Sequence, residues 1–285
     1  MGGAYSTVMS YMPSSPLTAT EASKNPVINF FPVSSAEEQA AAQTVLTSAE
    51  EEDGYYALID ASSVNKRARA GQDRVPPVVT SEEIGRWRDA IGAAIGKTPR
   101  ALFSNNTMTR VIILSDSAEA GFPHTRPGVI CFPRNYPADQ INETFAHELV
   151  HIHQRWNGSK WLDFLKDQWE MTPVGSENLP QSLLQREIIN PDTIAVPHMA
   201  WKGRYVPLKV FKMGMGAPSM RETELIFWDL EKNIDMRDGQ MPAGWAEFFG
   251  TQADHGFEMS AYYIGNRTQH TGCAAAKKLW SWLSL

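Results

Sequence analysis

Residues 144–155 read T-F-A-H-E-L-V-H-I-H-Q-R and place His147, Glu148 and His151 in the spacing H-E-x-x-H. On a helix, side chains four apart lie one above the other, so two imidazoles can close on one metal ion. Taking His147 as 0°, His151 falls at about 40° and Glu148 at about 100°. Phe145, Leu149, Ile152 and Trp156 fall at roughly 140–200°, which makes one apolar stripe. One side of such a helix would pack, and the other would hold an ion with a carboxylate beside it. His153 falls at about 240°, away from the pair, and reads as a polar residue rather than a ligand. The bland alternative is a helix with two solvent-facing histidines and no metal.

A catalytic zinc takes three protein ligands and leaves one position for water. A third histidine six residues beyond His151 is absent, since position 157 is Asn157 and position 154 is Gln154. The best remaining candidate is Glu258, in D-H-G-F-E-M-S-A-Y from Asp254 to Tyr262. Asp254 could cap a helix there, with Glu258 and the small Ala261 on one face, allowing close approach to the first helix. Glu247, Asp254, His255, Glu170 and Glu187 are rivals, and a carboxylate in a helix's first turn is also favoured by the dipole alone. With such a set, Glu148 would act as general base toward a metal-activated water and return the proton to a leaving amine. The developing oxyanion needs a donor. Tyr205 and His255 are candidates for it, as are Arg204, Tyr262 and Tyr263, each with packing as its plainer role. Asp192, in the turn sequence N-P-D-T, is a candidate to orient an imidazole.

Several elements must position these groups. Thr80-x-x-Glu83 is a capping box that opens a helix through about Ile95, with Ile84, Trp87, Ile91 and Ile95 on its buried face. Residues 109–115 and 128–132 read as buried strands, and Asp139 or Asn142 as the cap of the H-E-x-x-H helix. The strand at 129–132 immediately precedes that helix; in the zincin metallopeptidases, whose motif H-E-x-x-H resembles, the strand in this place is the sheet edge that holds an extended peptide, and the resemblance implies that role for 129–132. Further on, 161–169, 179–189, 244–249, 256–265 and 274–283 read as helices. Residues 201–208 read as a turn and strand, and 226–230 as a strand.

H-E-x-x-H followed by a downstream glutamate resembles the gluzincin branch of the zincin metallopeptidases. In that branch a later helix supplies a Glu, in its familiar member within N-E-x-x-S-D, whereas this chain reads Phe257-Glu258-Met259-Ser260-Ala261-Tyr262. The resemblance covers two short motifs and their order, across about residues 105–265. It implies an α+β fold, a zincin-like domain with a small mixed or antiparallel sheet packed on the H-E-x-x-H helix. It also implies about one Zn2+ per chain, held by His147, His151 and Glu258, and a peptide or protein substrate.

The remainder of the chain bounds these expectations. At 285 residues with 42 % hydrophobic content it can bury a sizeable core. A net charge of −6 without a basic cluster gives no support to nucleic-acid binding. Cys131 and Cys273 are too few for a disulfide framework and read as packed thiols. Residues 1–76 are expected to be an extended N-terminal arm and linker that could bind a protein partner, with the zincin-like domain over 77–285. Within the arm, 35–46 has helical composition, 55–59 reads as a short strand and 65–77 as a linker. No run of apolar residues matches a membrane span, and no basic n-region with an apolar core marks a secretory signal. Gly2 lies in M-G-x-x-x-[ST], an acceptor pattern for myristoylation that would give reversible membrane contact. An intracellular or virion location is expected. The competing function is a zincin-like scaffold subunit of a virion or other large assembly, without activity.

Overall fold

The chain is described by a computed structural model over residues 28–103, 108–194, 196–212, 218–236 and 240–285. Gly2 and the start of the expected arm lie outside the described residues. Among the described residues the fold is α+β, with two sheets.

The strands β1 (Ile28–Phe30), β2 (Thr109–Leu114), β3 (His124–Arg126) and β4 (Val129–Pro133) form a mixed sheet in the order β1-β2-β4-β3. β1, β2 and β4 run parallel, and β3 is antiparallel to β4. Both faces of β2 and β4 are covered, which explains their unbroken apolar runs. Val111, Ile113, Ile130 and Phe132 join the main core. Val129, Cys131, Ile112 and Leu114, alternating with them, meet Val33, Ala42 and Leu46 on the other side.

Those last residues correct the expected arm. From Ile28 onward the segment is folded: α1 (Ala36–Asp53), α2 (Tyr55–Ala61) and α3 (Ser63–Ala68) follow β1. Ser35 caps α1, and Gly54 ends it in the left-handed conformation. The 55–59 segment is helical, not a strand. Charges tie these helices to the sheet. The fully buried guanidinium of Arg126 on β3 bonds Asp53 at 2.6 and 2.9 Å and Glu50 at 2.7 Å. Arg69, also buried, meets Glu119 at 2.8 Å, and the Tyr55 hydroxyl donates to the same oxygen at 2.7 Å.

On the opposite face lie α4 (Ser81–Lys97), with the expected Thr80–Glu83 capping box, and α5 (Ile141–Trp156), which carries H-E-x-x-H. α5 follows Gln140, which makes no side-chain cap, so neither Asp139 nor Asn142 serves there. Phe145, Leu149 and Ile152 pack as the wheel requires, while Trp156 projects at 42 % exposure. α6 (Gly158–Trp169) leads to the second sheet. This sheet is antiparallel, in the order β5 (Met171–Val174), β6 (His198–Trp201), β7 (Tyr205–Phe211), β8 (Thr223–Asp229), β9 (Ile234–Met236). Among the described residues between β5 and β6 only Gln181–Leu184 (α7) is α-helical, far less than the helix expected over 179–189. Residues 186–188 instead run alongside β7, where Ile188 N–H bonds Lys209 O and Phe211 N–H bonds Arg186 O. α8 (Trp245–Phe249), α9 (Gly256–Gly265) and α10 (Ala274–Trp282) complete the fold. Trp169, Trp201, Trp245 and Phe249 form an aromatic cluster behind α9.

Candidate metal centre

The site forms where α9 crosses α5. Gly265 permits the approach: a Cβ there would stand 2.8 Å from Glu143 O and 3.2 Å from His147 Cβ. Ala261, the small residue singled out from sequence, is also fully buried. At the other end, His255 caps α9 by accepting from the Phe257 N–H, and Asp254 accepts from His255 rather than capping the helix itself.

This crossing brings His147, His151 and Glu258 together, with their ligating atoms within 4.8 Å of one another. The two Nε2 atoms are 3.1 Å apart. Glu258 Oε2 lies 3.6 Å from His147 Nε2 and 3.7 Å from that of His151. Tetrahedral ligation at about 2.1 Å would space neighbouring donors about 3.4 Å apart, so the trio is close enough to bind a metal ion. The tautomer also suits a ligand. Gln154 donates to Phe257 O at 3.1 Å and to Ser260 Oγ at 2.8 Å, which turns its Oε1 to His151 Nδ1 at 2.8 Å. His151 therefore carries a hydrogen on Nδ1, which leaves Nε2 as the ring atom facing His147 and Glu258.

The electrostatics describe a donor set crowded with charge. Burial would lower the His151 pKa, but Glu258 and then Asp192 outweigh it and push it up to about 10. Burial holds His147 below its ordinary value. Glu258 is held well below the carboxylate range because the two imidazoles overcome its own desolvation. Without a cation, these groups satisfy one another by sharing a proton, and a divalent ion would compete for the same place.

Glu148 behaves differently. It is buried, and its Oε2 has no hydrogen-bond partner among the described residues. Burial first, then the nearby Asp192 carboxylate, raise its pKa well above the usual range. It lines a cleft of about 640 Å³ with His147, Glu258, Asp192 and Tyr262.

The other sequence candidates fall in several places. His255 lines the cleft, but both ring nitrogens face backbone, Nε2 toward Pro197 O and Nδ1 toward Phe257 N–H. Tyr205 does not line the cleft; its ring lies beneath the Arg204 guanidinium and beside Trp201. Arg204 is bound by Asp229, and the Tyr263 hydroxyl donates to Phe249 O. Tyr262 packs edge-on against the His147 ring at 4.8 Å and faces the cleft. Among the rival ligands, Glu187 pairs with His198, Asp254 with Lys209, and Glu170 and Glu247 are exposed. His153 accepts from Trp161 Nε1, away from the pair.

Asp192 does not touch an imidazole. Its Oδ1 accepts from the backbone N–H and hydroxyl of Thr125 at 2.6 and 2.7 Å. The strand expected as the sheet edge, 129–132, is interior, and β3 is the edge. That edge is sealed. Thr125 N–H goes to Asp192, its carbonyl accepts from Arg155, and the flanking Pro123 and Pro127 have no N–H. A guest strand has no donor ladder to join there.

Gln154 and Asn190, which bond His151 and Glu258, were not singled out by sequence for that role. The i, i+3 spacing of His151 and Gln154 was the one available signal for the first. Asn190 had none, because its partner Glu258 is distant in sequence. No protein-family model matches the chain, and comparison with curated proteins and with solved structures gave no match.

Proposed function

We propose that the protein is a zinc-dependent peptidase of the zincin type, with His147, His151 and Glu258 as metal ligands and Glu148 as general base. The observation that carries this reading is three converging donor atoms, two of them on residues that line the cleft, beside a buried carboxylate whose Oε2 has no hydrogen-bond partner among the described residues. Zinc bound there would acidify a water and polarise a scissile carbonyl.

The chain's own groups supply the rest. Glu148 takes the proton from the attacking water and delivers it to the leaving amine nitrogen. Its raised pKa favours the delivery, and the charge of a bound cation offsets the repulsion from Asp192 and Glu258. Tyr262, which lines the cleft against the His147 ring where Tyr205 does not, fits the role of donor to the developing oxyanion; Tyr136 also lines the cleft, but its hydroxyl is bonded to Thr144. Because the β3 edge is sealed, substrate is held by side chains of the cleft walls. A non-catalytic scaffold is the weaker reading: burying a carboxyl oxygen without a hydrogen-bond partner costs about 1–3 kcal/mol even in the neutral form, and a scaffold gains nothing from keeping it.

Metal analysis of the purified protein and an unfolded-protein hydrolysis assay test the reading. About one zinc per chain is expected, together with hydrolysis that Glu148→Gln abolishes while zinc is retained. A wild-type protein that takes up no zinc, or a Glu148→Gln variant as active as wild type, would refute it.

A further inference from the structure

The third ligand is held from outside its own helix. Asn190 Nδ2 donates to Glu258 Oε1 at 2.6 Å, while Glu258 Oε2 faces the two imidazoles. The amide cannot turn over, because Asn190 Oδ1 accepts from the Asp192 N–H at 3.0 Å. The turn that carries it is fixed in several ways. Pro191 restricts the backbone on both sides of the Asn190–Pro191 bond. Asp192 is bonded to Thr125 on β3, and Arg155 of α5 donates to Pro191 O. A polar side chain is thus aimed at one oxygen of a carboxylate whose other oxygen completes the donor trio.

We propose that Asn190 is a positioning residue for the metal centre. By occupying Oε1 it turns Oε2 alone toward the ion and makes Glu258 a one-oxygen ligand, leaving a coordination position free for water. This rests on the reading of His147, His151 and Glu258 as metal ligands. It assigns the 190–192 turn a second task besides sealing β3: it transmits the position of β3 and α5 to the ligand on α9. A carboxylate released from Asn190 could offer both oxygens, filling the position that water needs.

Asn190→Asp is the discriminating variant. Aspartate forms the same turn with the Asp192 N–H, but replaces the donor to Glu258 with a repelling oxygen. Asn190→Ser is the milder companion, keeping an acceptor for the turn without reaching Glu258. The readouts are the zinc dissociation constant by chelator competition, the melting temperature with and without zinc, and the visible spectrum of the cobalt-substituted protein. Both variants are expected to weaken zinc binding by about 10–100-fold. Their zinc-free melting temperatures should fall modestly, because buried Glu258 loses its donor, so affinity is read on the folded protein, and the cobalt bands should change in intensity as the coordination changes. Zinc affinity within twofold of wild type in Asn190→Asp, with an unchanged cobalt spectrum, would overturn the proposal and leave the metal site itself standing. A wild type that binds no zinc would overturn both.

Discussion

Two clusters of buried charge sit on opposite sides of the mixed sheet, and they are built differently. Around Arg126 and Arg69, cations and carboxylates meet at 2.6–2.9 Å, and Tyr55 and Tyr56 cover the Arg126 guanidinium. One nitrogen of Arg126 and one oxygen of Glu119 are spare, but each side chain has a charged partner. Around His147 the like groups face one another instead. Two imidazole nitrogens stand 3.1 Å apart, and Glu148 makes no hydrogen bond among the described residues. The first cluster is complete within the chain. The second is arranged about a point that a small cation would fill. Burial and charge are common to both; only the pattern of pairing separates a clamp from a site.

That contrast can be broken from either side. The largest effect is expected from Glu148→Gln, which should lower the turnover of an unfolded protein substrate by about 10²–10⁴-fold. Its zinc content and melting temperature should stay close to wild type, because no bond is lost. Arg126→Met should do the reverse. It strands Asp53 and Glu50 and is expected to cost about 3–5 kcal/mol in denaturant unfolding, with zinc affinity of the folded fraction retained. Gln154→Ala removes the acceptor for His151 Nδ1 and should weaken zinc binding by about 10–100-fold, read by chelator competition.

The smallest effect concerns a half-exposed pair away from both clusters. Arg134, then the Thr80 backbone, lower the Glu83 pKa to about 2. A depressed carboxylate contributes stability above its unfolded value of about 4.3, and that contribution disappears as pH falls through about 2. With Arg134 36 % exposed, solvent screening limits the gain to under about 1 kcal/mol. Arg134→Met should therefore destabilise slightly at neutral pH and not at all near pH 2, as measured by denaturant midpoints across that range.

The legible parts of this molecule were those encoded over one or two helical turns. H-E-x-x-H gives its own register, and the Thr80–Glu83 box marks its own helix. Glu258 stood out because its short segment combined a carboxylate, a helix start and small residues. The misread parts depend on partners far along the chain. The buried face of α1 is made of Ala42, Leu46 and Ala49, too small and too few to stand out against its acidic surface, so it resembled a polar arm. Residues 55–59 are a short apolar run, which periodicity alone cannot assign to helix or strand. The edge position of β3, and the reach of Asn190 to Glu258, follow from sheet order and from a turn crossing the cleft, neither of which has a local pattern.

The sealing of β3 has a consequence beyond the cleft. An open strand edge is a template on which a second copy of a protein can dock and fibres can grow. Here the outward amide of Thr125 is already satisfied, and prolines stand on either side of it. Asp192 thus doubles as a guard against self-association at this edge, and losing it would expose the molecule to aggregation there even if hydrolysis were untouched.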